Sequence, residues 1–219
     1  YNLTLIGDCA QSLGTKFNNK STINYYNYAI TSFYPTKILS CYGDGGAIFF
    51  KENYSDVVLL KNNGHSLLDK SLCLKIGINS RLDSVQALVL NEKLYELKKI
   101  ILKKKNIFYL YNKLIKKNSL FSLPKDFNSS VKSNNYIYPL FINKNYRLKF
   151  LNYMKKNHVE CKLFYKKLLP DNNVLKPIFK TNLKNSIKCS KELICLPSHE
   201  NLKKKEIIKI ANLINTLKF

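Results

Sequence analysis

Residues 29–50 read AITSFYPTKILSCYGDGGAIFF, and this stretch decides the predicted fold. Its two ends, Ala29–Tyr34 and Gly46–Phe50, are short apolar runs with β-branched and aromatic residues, which predicts two strands. The loop between them contains a proline and ends in a glycine-rich turn, whose glycines are expected to adopt positive φ angles. Lys37 lies in this loop, where partial desolvation would make its amine a usable nucleophile.

Upstream, the apolar run Leu3–Gly7 predicts a further buried strand, which ends at Asp8. Functional side chains in α/β sheets commonly follow the carboxyl ends of strands, so Asp8 is a candidate functional carboxylate. Its ordinary structural role would be a helix cap or a solvated surface carboxylate. The polar residues 14–28 predict a loop with a short strand.

Downstream, the pattern predicts alternating helices and strands. Apolar residues three and four apart predict one long helix from Asp83, a candidate N-cap, to about residue 114, with Lys103–Lys105 on an exposed face. The remaining predictions are a helix over about 53–62, irregular chain over 63–80, a connection over 116–134, strands over Tyr136–Ile142, 159–164 and Leu193–Leu196, a loop over 170–189, and helices over Tyr146–Lys156 and Leu202–Leu217. Pro139 predicts an edge position or a bulge. This alternation indicates an α/β protein, which the polar connection divides into portions 1–115 and 116–219.

The composition excludes several classes of protein. Hydrophobic residues make up 45% of the 219 residues, which excludes a disordered chain, and no apolar run reaches the ~18–20 residues of a membrane helix. The net charge is +23, but Arg81 and Arg147 are the only arginines among the 37 basic residues. Base reading favours Arg, and Lys, Asn, Ile and Tyr have A/T-rich codons, so we expect compositional drift and no nucleic-acid partner. A basic nucleic-acid-binding protein stays open as an alternative.

The cysteines and histidines form no metal or disulfide pattern. None of the 6 cysteines forms a CxxC pair, and the 3 histidines show no metal-ligand spacing. We therefore expect free thiols in a reducing cytoplasm and no metal site.

Three clusters combine polar, charged and glycine residues: DCAQSLG at 8–14, SFYPTK and CYGDGGAIF within 32–49, and INSRLDSVQA at 78–87. In this order and spacing they resemble the DegT/StrS family of pyridoxal-phosphate-dependent sugar aminotransferases. A looser similarity continues through ICLPSH at 194–199 to the last helix. The CYGDGGA form is most similar to the branch that acts on UDP-linked 3-keto hexuronates.

The resemblance implies fold type I of the pyridoxal-phosphate-dependent transferases, with this chain as an N-terminally truncated member. The expected parts are an incomplete large domain (1–115), with a mixed, mostly parallel sheet and the long helix, and a small α/β domain (116–219). Family members also carry a segment before the Asp8 motif, with a Gly–Thr/Ser turn for the phosphate and an aromatic residue that stacks on the cofactor. An inactive or incomplete remnant of such an enzyme stays open as an alternative.

The resemblance also implies roles around pyridoxal phosphate. Lys37 would bond covalently to the cofactor aldehyde and then act as acid and base in the proton transfer. Asp8 would pair with the protonated pyridine nitrogen and keep the ring an electron sink. Gln11 would hydrogen-bond the phenolic oxygen, and Ser32 would donate to the phosphate. A dehydratase branch of the family has His in place of the lysine, so Lys37 argues against that branch.

The resemblance further implies a homodimer with shared active sites, because Asn79 would reach the phosphate of the neighbouring subunit's cofactor. Arg81 would clamp an anionic group of the substrate, since its planar fork suits carboxylate and phosphate. A structural salt bridge is the ordinary role of such an arginine. Tyr42 and Tyr34 would line the pocket, with simple packing as their alternative.

The expected function is transfer of an amino group, from glutamate by resemblance, to a keto group of a nucleotide-linked sugar. The expected setting is cell-surface polysaccharide biosynthesis in the cytoplasm, and the basic surface would attract the anionic substrate. The chain departs from the family's pattern at Asn63-Gly64-His65 and at Phe164-Tyr165, where many members have His-Gly and His-Tyr. No substrate role is therefore carried over to His65 or Phe164.

Overall fold

The computed structural model describes residues 1–51, 54–124, 129–175 and 183–217, with the backbone alone at residue 54. The strands are β1 (Ile6–Asp8), β2 (Lys16–Phe17), β3 (Lys20–Ser21), β4 (Tyr28–Ser32), β5 (Gly46–Phe50), β6 (Phe121–Ser122), β7 (Val131–Lys132), β8 (Tyr138–Ile142) and β9 (Leu193–Leu196). The helices are α1 (Tyr54–Lys61), α2 (Ser84–Leu114), α3 (Arg147–Lys156), α4 (Lys184–Glu192) and α5 (Lys204–Asn215), with 3-10 turns at Thr22–Tyr25 and Leu169–Asp171.

The chain divides into two compact units. Unit 1 comprises Tyr1–Ile101 and Phe127–Tyr136, and unit 2 comprises Leu102–Asp126 and Ile137–Phe219. Helix α2 therefore contributes residues to both units. The division of the chain into domains at residue 115 stays a prediction.

In unit 1, three strands form a mixed sheet in the order β1-β4-β5. Strand β1 runs parallel to β4, and β5 runs antiparallel to β4 with Ser32 opposite Gly46. The strands predicted at the two ends of residues 29–50 are confirmed, and β5 has the predicted bounds. Ala29 is fully enclosed within this sheet, at 0% exposure. Phe33, Leu39, Cys41 and Leu90 pack together as a hydrophobic cluster of buried residues in this unit.

A second small sheet in unit 1 joins segments that are distant in sequence. Its order is β3-β2-β7, and both pairings are antiparallel. Strands β6 and β7 both fall within the predicted connection 116–134, which therefore contains two short strands. The N–H of Asn18 donates to the carbonyl of Ser130 at 2.8 Å. Residues 129–136, called the crossing segment below, therefore run beside residues 11–18.

In unit 2, an antiparallel sheet in the order β6-β8-β9 holds the core. Buried and half-buried residues alternate along β8, as expected for a strand with one covered face. Helix α5 begins two residues later and ends two residues earlier than predicted, and it buries the predicted apolar face. That face consists of Ile207, Ile210, Ala211 and Ile214.

Pro139 lies in the central strand of this sheet, so the prediction of an edge strand is wrong. It stands opposite Cys195, whose backbone N–H and carbonyl both bond to Lys162 on the other side of β9. The pair Pro139–Cys195 is therefore a non-hydrogen-bonded one, and it needs no N–H from the proline. On its other side, β6 pairs only with Phe141 and Ile142. Pro139 is tolerated because neither neighbouring strand requires its missing donor.

The predictions for two further segments, 159–164 and 170–189, are wrong. Residues 159–164 form no strand, and Lys162 makes only an isolated bridge with Cys195. Helix α4 occupies part of the predicted loop 170–189. The residues of α4 are exposed or half-buried, and a helix with no buried face needs no apolar stripe. Its sequence, KNSIKCSKE, therefore lacks the apolar periodicity that indicates a helix. Residues 176–182 of that loop lie outside the described residues.

The predicted exposure of Lys103–Lys105 is wrong for the middle residue. Lys104 is 7% exposed, and its Nζ donates to the carbonyl of Ser198 at 2.7 Å. Burial lowers the pKa of Lys104, and the carboxylate of Glu200 opposes that shift. Lys104 therefore holds the chain that follows β9, a role that a run of three identical residues does not indicate.

Substituting Phe150 tests the core of unit 2. Phe150 on helix α3 is fully buried, whereas Leu148 on the same helix is 69% exposed. We expect Phe150→Ala to lower the free energy of unfolding of unit 2 by about 3–5 kcal/mol, because it leaves a cavity. Leu148→Ala should change it by at most about 0.5 kcal/mol. Urea unfolding followed by circular dichroism measures both, and equal losses would contradict the burial of Phe150.

Candidate active site

The carboxyl ends of β1 and β4 bring two predicted site residues to one edge of the unit 1 sheet. Asp8 is the last residue of β1, Ser32 is the last residue of β4, and the two strands are parallel. Asp8 pairs with Ile30, two residues before Ser32. Because neighbouring strands lie about 4.8 Å apart, the backbone places Asp8 and Ser32 close together at this edge.

The backbone around Asp8 fixes its carboxylate. The Oδ1 atom of Asp8 accepts the N–H of Ala10 at 3.0 Å. The N–H of Cys9 donates to the carbonyl of Ile30 at 2.8 Å and continues the strand pairing. Asp8 is exposed, so the carboxylate at the end of β1 is open to a ligand.

A tight turn leads from Ser32 to Lys37. The Oγ of Ser32 accepts the N–H of Tyr34 at 3.2 Å, and the carbonyl of Tyr34 accepts the N–H of Lys37 at 2.8 Å. Lys37 is half-buried, and its Nζ lies 5.3 Å from the centre of the Tyr136 ring. Asp8, Ser32 and Lys37 therefore lie at or just beyond the same edge of the sheet.

Among the glycines that follow Lys37, Gly46 allows strands β4 and β5 to approach each other closely. None of the three glycines within 43–46 has a positive φ, so that expectation is wrong; among the described glycines, positive φ occurs at Gly14 and Gly64. A Cβ at Gly46 would lie 2.7 Å from the carbonyl oxygen of Thr31. Strands β4 and β5 thus approach too closely for a side chain at position 46.

Helix α2 holds the second half of the Lys37 loop. The Nζ of Lys93 donates to the carbonyl and the Oγ of Ser40 at 2.8 and 3.1 Å, and it lies 4.8 Å from the centre of the Tyr42 ring. The side chain of Gln86 accepts the N–H of Tyr42 at 2.8 Å. Tyr42 itself is 74% exposed, so its ring forms part of the surface beside Lys93.

Substituting Lys93 tests this anchor. We expect Lys93→Met to lower the free energy of unfolding of unit 1 by about 1–2 kcal/mol, because it removes two hydrogen bonds and a cation–π contact but keeps the length of the side chain. Lys98→Met, at an exposed position of the same helix, is the matched control and should leave stability unchanged within about 0.5 kcal/mol. Thermal unfolding measures both, and two indistinguishable variants would contradict the anchoring role.

Asn79 and Arg81 form a separate group beside the end of helix α1. The Nε of Arg81 donates to Oδ1 of Asn79 at 3.1 Å, and both residues are exposed. Asn79 forms an isolated bridge with Asn62, and the N–H of Ser80 donates to the carbonyl of Lys61 at 2.9 Å. The roles assigned to Asn79 and Arg81 from the resemblance stay predictions.

The crossing segment contributes two residues that the sequence analysis did not single out as site residues. Asn134 is 3% exposed, and its Nδ2 donates to the carbonyls of Gln11 and Leu13 at 2.9 and 3.0 Å. Tyr136 faces Lys37, as described above. These contacts join residues about a hundred or more positions apart in sequence, so no local pattern could have indicated them.

Comparison with known proteins gives four informative matches. A family model described as the DegT/DnrJ/EryC1/StrS aminotransferase family matches residues 1–215. A UDP-2-acetamido-2-deoxy-3-oxo-D-glucuronate aminotransferase of Pseudomonas aeruginosa is 39% identical over 94 residues, which are 43% of this chain and 26% of that protein. The structure of a DegT DnrJ EryC1 StrS aminotransferase from Brucella abortus is 28% identical, with a TM-score of 0.87 over 95% of this chain and 56% of that chain.

A structure from Streptococcus pneumoniae, described as a sugar aminotransferase in its PMP form, has a TM-score of 0.85 at 17% identity and covers 98% of this chain and 58% of that chain. These similarities confirm the predicted α/β fold of the type I transferases. The chain spans a little over half the length of these solved proteins, 56% and 58%. Within the described ranges, no helix has the length and apolar character to cross a bilayer.

Proposed function

Because the chain belongs to the DegT/DnrJ/EryC1/StrS aminotransferase family, we propose that it works in a pyridoxal-phosphate-dependent aminotransferase that delivers an amino group to a keto carbon of a nucleotide-linked sugar. The observation that carries this proposal is the position of Asp8, Ser32 and Lys37 at one edge of the unit 1 sheet. A carboxylate, a hydroxyl and an amine are the groups that this cofactor needs around its ring nitrogen, its phosphate and its aldehyde.

Members of this family use pyridoxal phosphate, which supplies an electron sink for moving amino groups and protons when it is bound. The residues of this chain fit such a group. The exposed carboxylate of Asp8 suits a protonated ring nitrogen, and Ser32 ends the neighbouring parallel strand with a hydroxyl donor. Lys37 lies in the turn that follows Ser32, so its amine is available for the cofactor aldehyde.

Each of these residues has a separate task in the proposed enzyme. Lys37 would hold the cofactor through its Nζ, and the same amine would accept and return the proton that moves during amino transfer. Asp8 keeps the ring nitrogen protonated by its negative charge. Gln11 orients the phenolic oxygen, and Ser32 donates a hydrogen bond to the phosphate.

The proposed substrate is a UDP-linked 3-keto hexuronate, and glutamate is the proposed amino donor. The CYGDGGA sequence at 41–47 and the similarity to the Pseudomonas aeruginosa enzyme support the sugar class. The net charge of +23 favours an anionic substrate. Arg81, whose exposed guanidinium can bind a carboxylate or a phosphate with two hydrogen bonds, and the exposed ring of Tyr42 are the proposed substrate contacts. The proposed pathway is cytoplasmic synthesis of a surface polysaccharide.

The proposed active unit is a homodimer in which Asn79 reaches the partner's cofactor phosphate. Large apolar side chains are exposed in the segment that precedes Asn79, among them Leu68 at 101%, Ile76 at 98% and Ile78 at 69%. Such a patch favours association with another protein surface. Light scattering after gel filtration should give twice the mass of one chain, and a monomer at micromolar concentration would contradict the dimer.

A direct assay tests the proposed function. The chain, loaded with pyridoxal phosphate, is mixed with a UDP-linked 3-amino hexuronate and 2-oxoglutarate, and the reverse transfer is followed by the glutamate that forms. We expect glutamate with this sugar and none with the matching sugar that carries a 3-hydroxyl group. No glutamate from loaded, folded chain would favour an incomplete or inactive member of the family.

A further inference from the structure

We propose that Tyr136 is a positioning residue that seats the protonated amine of Lys37 on the face of its ring. The Nζ of Lys37 lies 5.3 Å from the centre of that ring, within the distance of about 6 Å at which the ring quadrupole attracts a cation. The inference rests on the proposed function, because it concerns the amine to which that function assigns the chemistry. It adds a residue that lies outside the three sequence clusters.

The position of Tyr136 is fixed by its own segment. Its backbone N–H donates to Oδ1 of Asn134 at 3.0 Å, and its hydroxyl lies 3.5 Å from the Oγ1 of Thr36, the residue before Lys37. The segment that carries the ring is therefore held by the backbone bond to Asn134, and the hydroxyl only comes near Thr36. A ring on a fixed segment can select one position of a flexible lysine side chain.

Asn134 ties this segment to the loop that follows β1. The side chain of Asn134 is buried, and its Nδ2 donates to the carbonyls of Gln11 and Leu13 at 2.9 and 3.0 Å. Its backbone N–H donates to Oγ1 of Thr15 at 3.2 Å. The crossing segment thus places Tyr136 relative to the loop that begins at Asp8, and it does so through a buried amide with several partners.

The proposed role follows from the charge dependence of the contact. The ring attracts the ammonium form of Lys37 but not the neutral amine. When Lys37 is not bonded to the cofactor, the ring keeps the charged amine in one place beside the site. When Lys37 gives up its proton to water, the attraction ends and the side chain is free to move towards the cofactor.

The experiment measures the reactivity of Lys37 in the cofactor-free chain. Trace labelling with acetic anhydride acylates only neutral amines, and mass spectrometry reports the rate at each lysine relative to the others. We expect Tyr136→Leu to raise the rate at Lys37 about 2- to 5-fold, because it removes the ring that holds the charged amine. Tyr136→Phe keeps the ring and should leave the rate unchanged, although it removes the hydroxyl near Thr36.

A matched control comes from helix α2, where the Nζ of Lys113 lies 6.0 Å from the ring centre of Tyr109. Tyr109→Leu should leave the rate at Lys37 unchanged, so a change there would indicate a general effect of losing a tyrosine and would overturn the inference. Equal rates at Lys37 in Tyr136→Leu and Tyr136→Phe would also overturn it, because the ring face would then be irrelevant.

A second series remains decisive if Tyr136→Leu does not fold. In the Tyr136→Phe variant, the phenylalanine is replaced by its trifluorinated analogue, which keeps the shape of the ring and weakens its quadrupole. A higher rate at Lys37 supports the inference, and an unchanged rate overturns it. Because no cofactor is present, these outcomes are independent of the amino-transfer assay: an inactive enzyme with the expected labelling order would contradict the proposed function alone.

Discussion

We expect Lys37→Ala to abolish amino transfer, with a loss of about 10²–10⁴-fold or more in rate, because it removes both the bond to the cofactor and the group that moves the proton. Lys37 is half-buried in the turn that follows β4, and its backbone N–H is bonded to Tyr34. The substitution changes no residue of the core, so the free energy of unfolding should change by less than about 1 kcal/mol. Steady-state assays and thermal unfolding of the same preparation separate the two effects.

Lys20→Ala is the control for this substitution. Lys20 is exposed in strand β3 of the same unit. Its replacement should leave the rate of amino transfer unchanged. If Lys37→Ala retained a tenth or more of the rate, the assignment of Lys37 as the reactive amine would be wrong.

The second large effect is expected from Asp8→Asn, which should lower the rate of amino transfer about 10²–10³-fold. The amide keeps the shape of the carboxylate and can still accept the N–H of Ala10, so the loop after β1 is preserved. What is lost is the negative charge that keeps the ring nitrogen protonated. We therefore expect an intact fold and a large fall in kcat, with a small change in the amount of cofactor bound.

Asp69→Asn is a matched control for Asp8→Asn. Both carboxylates accept the backbone N–H of the residue two positions later, Asp69 from Ser71 at 2.9 Å and Asp8 from Ala10 at 3.0 Å. Hydrogen bonds from Ser71 lower the pKa of Asp69, so it is charged at neutral pH. The control changes charge and local bonding in the same way but lies in another loop, and its rate should match that of the unmodified chain. Equal rates for the two variants would show that the charge of Asp8 has no special role.

The parts of the fold that were predicted correctly are those with a local pattern. The strands Gly46–Phe50 and Leu193–Leu196 coincide with the short apolar runs that predicted them, and α5 buries the predicted face with helical spacing. Helix α4 was missed because its exposed sequence has no apolar face. The central position of Pro139 depends on which bonds its neighbours already make, which the local sequence does not contain.

The residues of the candidate site also fall into those that the sequence indicated and those that it could not indicate. Asp8 was indicated by its position at the end of a predicted strand and Ser32 by the family resemblance, and the sheet brings them to one edge because β1 and β4 are parallel. Tyr136 and Asn134 could not be predicted, because they reach this region through the pairing of β7 with β2. Tertiary pairing, rather than residue type, determines which side chain lies beside Lys37.

One measurement tests the central claim most directly. The folded chain is incubated with pyridoxal phosphate, reduced with borohydride and digested, and mass spectrometry locates the pyridoxyl group among its lysines. The account predicts a label concentrated on Lys37, in the turn beyond the sheet edge that carries Asp8 and Ser32. A label scattered over many lysines, or concentrated on a lysine outside this turn, would contradict the claim that this chain forms the cofactor pocket around Lys37.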